Sequence, residues 1–266
     1  MNRILSFLLL LVIAAIPVAG QASGSAAAKT LKVGATPVPH AELLNLVKAD
    51  LAAQGITLQI VEFTDYVTPN IALAEKQLDA NFFQHLPYLE TFAGERKLAL
   101  ESVVAVHVEP LGLYSKKYKS LKDLPKGATI ALPNDPTNEG RALILLQARG
   151  LITLKPNAGL KATIRDIATN PNKFTFRELE AAILPRSLAD VAAAVINGNY
   201  AIESGLNPIK DAIVLEGGES PYANILVVRK GESKDSRIVA LAAALTSRKV
   251  KEYILATYNG GVVPAF

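Results

Sequence analysis

Hydrophobic positions along the chain switch between two periods. Residues 31–35 form a short apolar run closed by Thr36-Pro37-Val38-Pro39, the pattern of a buried strand. In residues 41–54, Leu43, Leu44, Val47 and Leu51 recur on one helical face, and Gly55 stops the helix. Residues 56–63 alternate, with Ile56, Leu58 and Ile60 set against Thr57 and Gln59, as a half-buried strand does. The pattern then predicts a helix entered at Pro69 and running through 71–77, a strand at 80–83 and a helix at 87–96. A long β-rich run at 103–114 is broken at Glu109-Pro110.

A second series follows. Residues 120–125 read as a turn or short helix and 129–132 as a strand. Residues 137–149 read as a helix with Thr137 as N-cap and Gly150 just past its end. Short strands are expected at 174–179 and 182–184. A helix is expected at 187–196, opened by a Ser187-x-x-Asp190 capping box and ended by Gly198. Residues 200–202 read as extended, 224–229 as a strand, and 236–258 as one or two closing helices. Strands alternating with helices predict an α/β fold with parallel-rich sheets. With 266 residues, two lobes are expected. The runs 103–114 and 224–229 suit paired crossings between them, with the middle of the chain in one lobe and both ends in the other.

The beginning of the chain breaks this pattern. Arg3 precedes an unbroken apolar run, 4–16, then Pro17 and small residues, which is a signal-peptide pattern assigned to residues 1–28. The run is short for a membrane span. Small-x-small sites allow cleavage before Ser23 or before Lys29. A Cys after the run would mark a lipid anchor, and Cys is absent. The expectation is a periplasmic protein exported by a cleaved signal peptide, with no lipid anchor.

Composition narrows the chemistry. Without Cys there are no disulfides, thiolate metal sites or Cys nucleophiles. The three His, at 40, 85 and 107, form no i, i+4 pair, so no metal site is expected. A net charge of +4, scattered along the chain, gives no nucleic-acid footprint. There is no Gly-x-Ser-x-Gly, no phosphate-binding Gly-rich loop and no spacing that picks out a catalytic carboxylate pair, so no cofactor is expected, although many active sites leave no such local signature.

What stands out instead is a set of polar and aromatic loops at strand ends. Asn81-Phe82-Phe83-Gln84-His85-Leu86-Pro87-Tyr88 offers rings and hydrogen-bonding groups together. Pro133-Asn134-Asp135-Pro136-Thr137-Asn138-Glu139-Gly140-Arg141 joins a strand to a helix whose free N–H groups favour an anion, and Arg141 can clamp a carboxylate. Asn197-Gly198-Asn199-Tyr200 and Ser220-Pro221-Tyr222-Ala223-Asn224 are further candidates; one Asn of the first is also readable as a helix cap, and a lone Asn at a strand entry, as in the second, is more often a turn residue than a ligand contact.

At these segments the chain resembles the MetQ/NlpA family of substrate-binding proteins of methionine ABC importers. The runs that carry the likeness are FFQHLPYL, ALPNDPTNEGRALILLQ, ELEAAILPRSLADVAAAVINGNYAIE, YANILVVR and VVPAF, spread over residues 30–266. The resemblance implies a two-lobed, type II-like periplasmic-binding fold with two crossing strands and a ligand cleft. Lobe one would comprise 29–112 plus 223–266, and lobe two 113–222. It implies binding of methionine without catalysis, and docking to a membrane permease driven by an ATPase. Another amino acid, a methionine derivative or a short dipeptide is the alternative ligand, and an enzyme on the same fold the remaining reading. By position the family's ligand-binding residues correspond to Tyr66, Phe83, His85, Tyr88, Asn138, Arg141, Asn199 and Asn224. The implied roles are Arg141 and Asn138 on the carboxylate, asparagine carbonyls on the ammonium, and Tyr66, Phe83 and Tyr88 around the thioether.

Overall fold

The computed structural model describes residues 29–217 and 220–266. The signal peptide assigned to residues 1–28 lies outside the described residues. The chain opens with β1 (Lys29–Ala35), α1 (Glu42–Ala52), β2 (Ile56–Glu62), α2 (Thr68–Ala74), β3 (Ala80–His85), α3 (Leu86–Arg96) and β4 (Leu100–Val108). It continues through β5 (Gly112–Tyr114), β6 (Thr129–Pro133), α4 (Pro136–Ala148), β7 (Thr153–Leu154), β8 (Ile167–Thr169), β9 (Thr175–Leu179), α5 (Leu184–Ser187), β10 (Ala193–Ile196), α6 (Gly198–Glu203), α7 (Pro208–Asp211) and β11 (Ala212–Leu215). It closes with β12 (Ala223–Arg229), α8 (Ser236–Leu245), α9 (Arg248–Tyr258) and β13 (Val263–Pro264).

Two sheets organise these elements. The six-stranded sheet has the order β13-β4-β12-β3-β1-β2, and the five-stranded sheet the order β11-β5-β10-β6-β9. The chain changes sheet at 109–111 and again at 216–222. The two flanking strands β4 and β12 are antiparallel neighbours. Both sheets are mixed rather than parallel-rich: β1 pairs parallel with β2 and β3, but β12, which follows the five-stranded sheet in the chain, runs against β3. β5 likewise runs against β10.

Each sheet has its own core. Leu31, Val33, Leu43, Val47, Phe82, Leu226, Leu241 and Ile254 bury around the first. Leu113, Ile130, Leu132, Leu143, Leu146 and Val195 bury around the second. The stripe Leu43, Leu44, Val47 and Leu51 is fully buried on α1, at about 1.5–3 kcal/mol per large side chain. β3 and β10 are buried along their whole length, as central strands covered on both faces must be.

The stretch 182–203 differs from the sequence expectation. Residues 182–184 are not a strand: a 3-10 turn at Ala181–Ile183 leads into α5. The expected helix 187–196 ends almost where it was to begin, because Ser187 Oγ donates to Leu184 O and caps nothing. Ala193–Ile196 is a strand instead, held between β5 and β6. Gly198 opens a helix rather than ending one, and residues 200–202 are helical, not extended. The α4 cap also shifts. Asp135, not Thr137, is the N-cap and accepts from Asn138 N, while Gly150 follows the helix with φ +71 as expected.

Candidate functional site

Strand ends from both lobes converge on one cavity. From the first lobe, β3 ends in Phe83 and His85, and His85 caps α3 by accepting from Tyr88 N. Tyr66 lies in the loop after β2, and Asn224 at the entry of β12. From the second lobe, the start of α4 carries Asn138 and Arg141 one turn apart, and the start of α6 carries Asn199. These eight residues all line the same cavity. Gln84, Asn197 and Gly198, from the candidate segments, line it too, and so does Glu109, which lay outside all of them.

One wall is aromatic. The rings of Tyr66, Phe83 and Tyr88 stand in a triangle with centroids 6.0, 6.0 and 6.2 Å apart. Tyr66 also lies 5.1 Å from Tyr200. Hydrogen bonds fix these rings. Tyr88 OH donates to Tyr66 O at 2.8 Å, and Tyr200 OH reaches across the lobes to Thr64 O at 2.9 Å.

The opposite wall is polar, and much of it is already committed. Arg141 Nε donates to both carboxylate oxygens of Glu216 at 3.1 and 3.2 Å, and Nη2 donates to Glu216 Oε2 as well. Nη2 also donates to the Glu109 backbone carbonyl at 2.8 Å, and the guanidinium lies 4.3 Å over the Tyr222 ring. The outer fork of Arg141 is thus filled from within the protein, and Nη1 is the guanidinium nitrogen without a hydrogen-bond partner among the described residues. A two-pronged clamp on that edge, as the sequence suggested, does not form while Glu216 holds it.

Asn138 is spent in the same way. Its amide nitrogen donates to Asp135 Oδ1 and Oδ2, each at 2.9 Å. Its oxygen accepts from Asn197 Nδ2 at 2.9 Å and from His85 Nε2 at 3.1 Å. Because His85 Nδ1 accepts from Tyr88 N, the ring proton sits on Nε2 and points at Asn138. Burial, with the Arg141 charge, pushes the His85 pKa down to about 3, so the ring is neutral. Asn138 therefore orders its neighbours rather than offering a free amide to a carboxylate.

Two buried atoms have no hydrogen-bond partner among the described residues and belong to cavity-lining side chains: Asn199 Nδ2 and Asn197 Oδ1. Each such group left unsatisfied costs about 1–3 kcal/mol. One is a donor and the other an acceptor, so a ligand carrying both functions relieves both. Asn197 occupies the N-cap position of α6 yet its side chain does not cap.

Beneath the cavity lies a cluster that the sequence spacing gave no reason to expect. Glu109 Oε1 faces His107 Nε2 at 2.7 Å, Asn224 Nδ2 at 3.3 Å and His40 Nε2 at 3.4 Å. Its Oε2 accepts from Asn199 N at 2.8 Å, and Thr36 Oγ1 lies 2.7 Å from His40 Nδ1. Burial pushes the pKa of His40 down to about 4 and that of His107 down to about 3, so both rings are neutral. Two His and a carboxylate resemble a metal-ligand set. The His107–Glu109 spacing is hydrogen-bond length, whereas donors at about 2.0–2.1 Å around a tetrahedral zinc lie roughly 3.3 Å apart. The cluster reads as a carboxylate enclosed by N–H donors.

The chain has close relatives. It is 43% identical to the methionine-binding lipoprotein MetQ of Bacillus subtilis (strain 168) over 271 residues, 99% of each chain. It is 42% identical to the D-methionine-binding lipoprotein MetQ of Escherichia coli (strain K12) over 211 residues, 79% of this chain and 78% of that one. Among solved structures, a nutrient binding protein from Burkholderia cenocepacia bound to methionine matches with a TM-score of 0.87 and 47% identity, covering 89% of this chain and 100% of that one. The fold is accordingly that of the two-lobed periplasmic binding proteins.

The comparisons correct one expectation, that of no lipid anchor. The matching family is described as lipoprotein, and relatives in Treponema pallidum (strain Nichols) and B. subtilis carry lipoprotein in their names. The expectation rested on the absence of one residue type, which speaks to a single chemical route of attachment and not to attachment as such. Among the described residues no helix is long and apolar enough to cross a membrane. Residues 31–266 match the family pattern described as NlpA lipoprotein, and the chain belongs to that family.

Proposed function

We propose that this chain is the substrate-binding component of an ABC importer, that it binds methionine between its lobes, and that it delivers the ligand to a membrane permease driven by an ATPase. Its role is binding and release, without turnover. The observation that carries the reading is the pairing, in one cavity, of a three-ring apolar wall with a polar wall that retains an unpartnered donor and acceptor. A thioether suits the rings, since sulfur–aromatic contacts contribute about 0.3–1.5 kcal/mol each. The α-carboxylate and ammonium suit the polar wall. Relatives named for methionine support the same ligand.

In this reading Tyr66, Phe83 and Tyr88 enclose the side chain. Arg141 and Asn199 meet the carboxylate, and His85 and Asn138 keep the wall in place. Asn224 reaches the ligand's polar end from the first lobe. Residues 29–112 with 223–266 act as one lobe and 113–222 as the other, moving about the two crossings. Native mass spectrometry of protein purified without unfolding tests the ligand: a bound mass equal to methionine is expected. A second cavity lined by Asp65, Asn134 and Glu180 shares Tyr66 and Tyr88 with the first. It favours, as the second reading, a larger methionine derivative or short dipeptide, which the same spectrum would identify.

A further inference from the structure

We propose that Glu109 is the anion that recognises the ligand's α-ammonium, so that the site admits only ligands with a free amino group. The inference rests on the amino-acid reading of the cavity and adds a residue and a substrate class to it. Glu109 lies at the first crossing between the lobes, is 5% exposed, and lines the cavity. Its carboxylate is met by N–H donors that carry no charge: the backbone of Asn199, the amide of Asn224 and the neutral ring of His107. Such donors solvate a buried anion but do not neutralise it.

The nearest fixed cation does not neutralise it either. Arg141 approaches Glu109 only at the backbone carbonyl and spends its charged fork on Glu216. Arg141 and Glu216 thus meet at the polar wall as a pair, and among the described residues Glu109 has no cation of its own. A zwitterionic amino acid supplies the missing positive charge. The two asparagines on either side are held by the same carboxylate, so the ammonium would be met by a group already fixed in position. Burial raises the carboxyl's pKa, while the Asn199 N–H and Arg141 lower it. An arriving ammonium acts with the latter.

The test compares L-methionine with 4-(methylthio)butanoate, which lacks only the amino group, by calorimetry on the wild-type protein and on Glu109→Gln. The wild type is expected to prefer methionine by about 10²-fold or more, because a buried charge left without its partner is the stronger loss. Glu109→Gln is expected to cut that ratio at least tenfold, a change that a purely structural role would not produce. Glu109→Asp keeps the charge and should retain most of the ratio, which provides a readout should the Gln variant not fold. A wild-type protein that binds both compounds within threefold, or a folded Glu109→Gln that keeps the wild-type ratio, overturns the assignment and leaves methionine binding intact. A wild-type protein that binds neither compound overturns the methionine reading and this inference with it.

Discussion

Tyr66 and Asn199 face each other across the lobes, 133 positions apart in sequence, and the Tyr66 hydroxyl donates to Asn199 Oδ1 at 2.6 Å. This bond fixes the Asn199 amide so that Nδ2 is the end left without a partner among the described residues. Tyr66 thus serves twice, as a ring of the apolar wall and as the group that orients a polar one. Tyr66→Phe keeps the ring and removes the bond. Methionine affinity should fall about 3- to 10-fold, matching a net hydrogen bond of about 0.5–1.5 kcal/mol. Calorimetry on the folded variant measures it, and a change of 10²-fold or more would mean that the hydroxyl contacts the ligand itself.

Glu216 and Arg141 give a second prediction. Both groups are largely buried, and Glu216 also accepts from Leu111 N, which ties the pair to the crossing. Removing the carboxylate by Glu216→Gln leaves the guanidinium with less compensation. Ligand-free stability should fall by about 1–3 kcal/mol, the cost of an unsatisfied charged group discounted for partial exposure. Saturating methionine should recover part of the loss, because the ligand carboxylate offers a replacement. Thermal unfolding with and without methionine reads both. An equal loss in the two conditions would place the ligand carboxylate away from Arg141.

Acid should destabilise the protein through its histidines. His40, His85 and His107 are buried and neutral, with pKa values lowered to about 4, 3 and 3. The unfolded chain takes up protons on them near pH 6.5 and the folded chain does not. Their contribution is therefore fully present above about pH 6.5 and is lost as pH falls from there toward 4, at up to about 1.4 kcal/mol per pH unit for each ring. Glu109, raised by burial, works in the opposite direction and softens the slope. Unfolding midpoints between pH 7 and 4 should decline, and His85→Asn should make the decline shallower. A flat profile would show that these rings are protonated in the folded state too.

Legibility in the sequence followed the range of the interactions. The stripe on α1 was readable because Leu43, Leu44, Val47 and Leu51 need only helical spacing to share a face. Residues 193–196 were misread because alanines after an apparent capping box favour a helix locally, while pairing with β5 and β6 decides the outcome. α6 is six residues long, too short to be stable alone, and its Tyr200 is held from the other lobe at Thr64. The rings and amides around the cavity were visible as polar-aromatic clusters at strand ends. Glu109 and Glu216 were not, because their meaning depends on partners 90 and 75 positions away, Asn199 and Arg141. The only local hint of Glu109 was a charged residue at the break in the longest β-rich run.

In the proposed function this cavity binds methionine through Arg141 and the aromatic wall. Protein unfolded, dialysed free of ligand and refolded, then titrated calorimetrically with L-methionine, tests it most directly, with Arg141→Ala titrated alongside and circular dichroism as the folding control. One methionine per chain is expected for the wild type, and affinity lower by roughly 10²-fold or more for Arg141→Ala, at about 1.4 kcal/mol per tenfold. No heat from the refolded wild type would rule out methionine as the ligand, and a folded Arg141→Ala within threefold of wild type would remove Arg141 from the site.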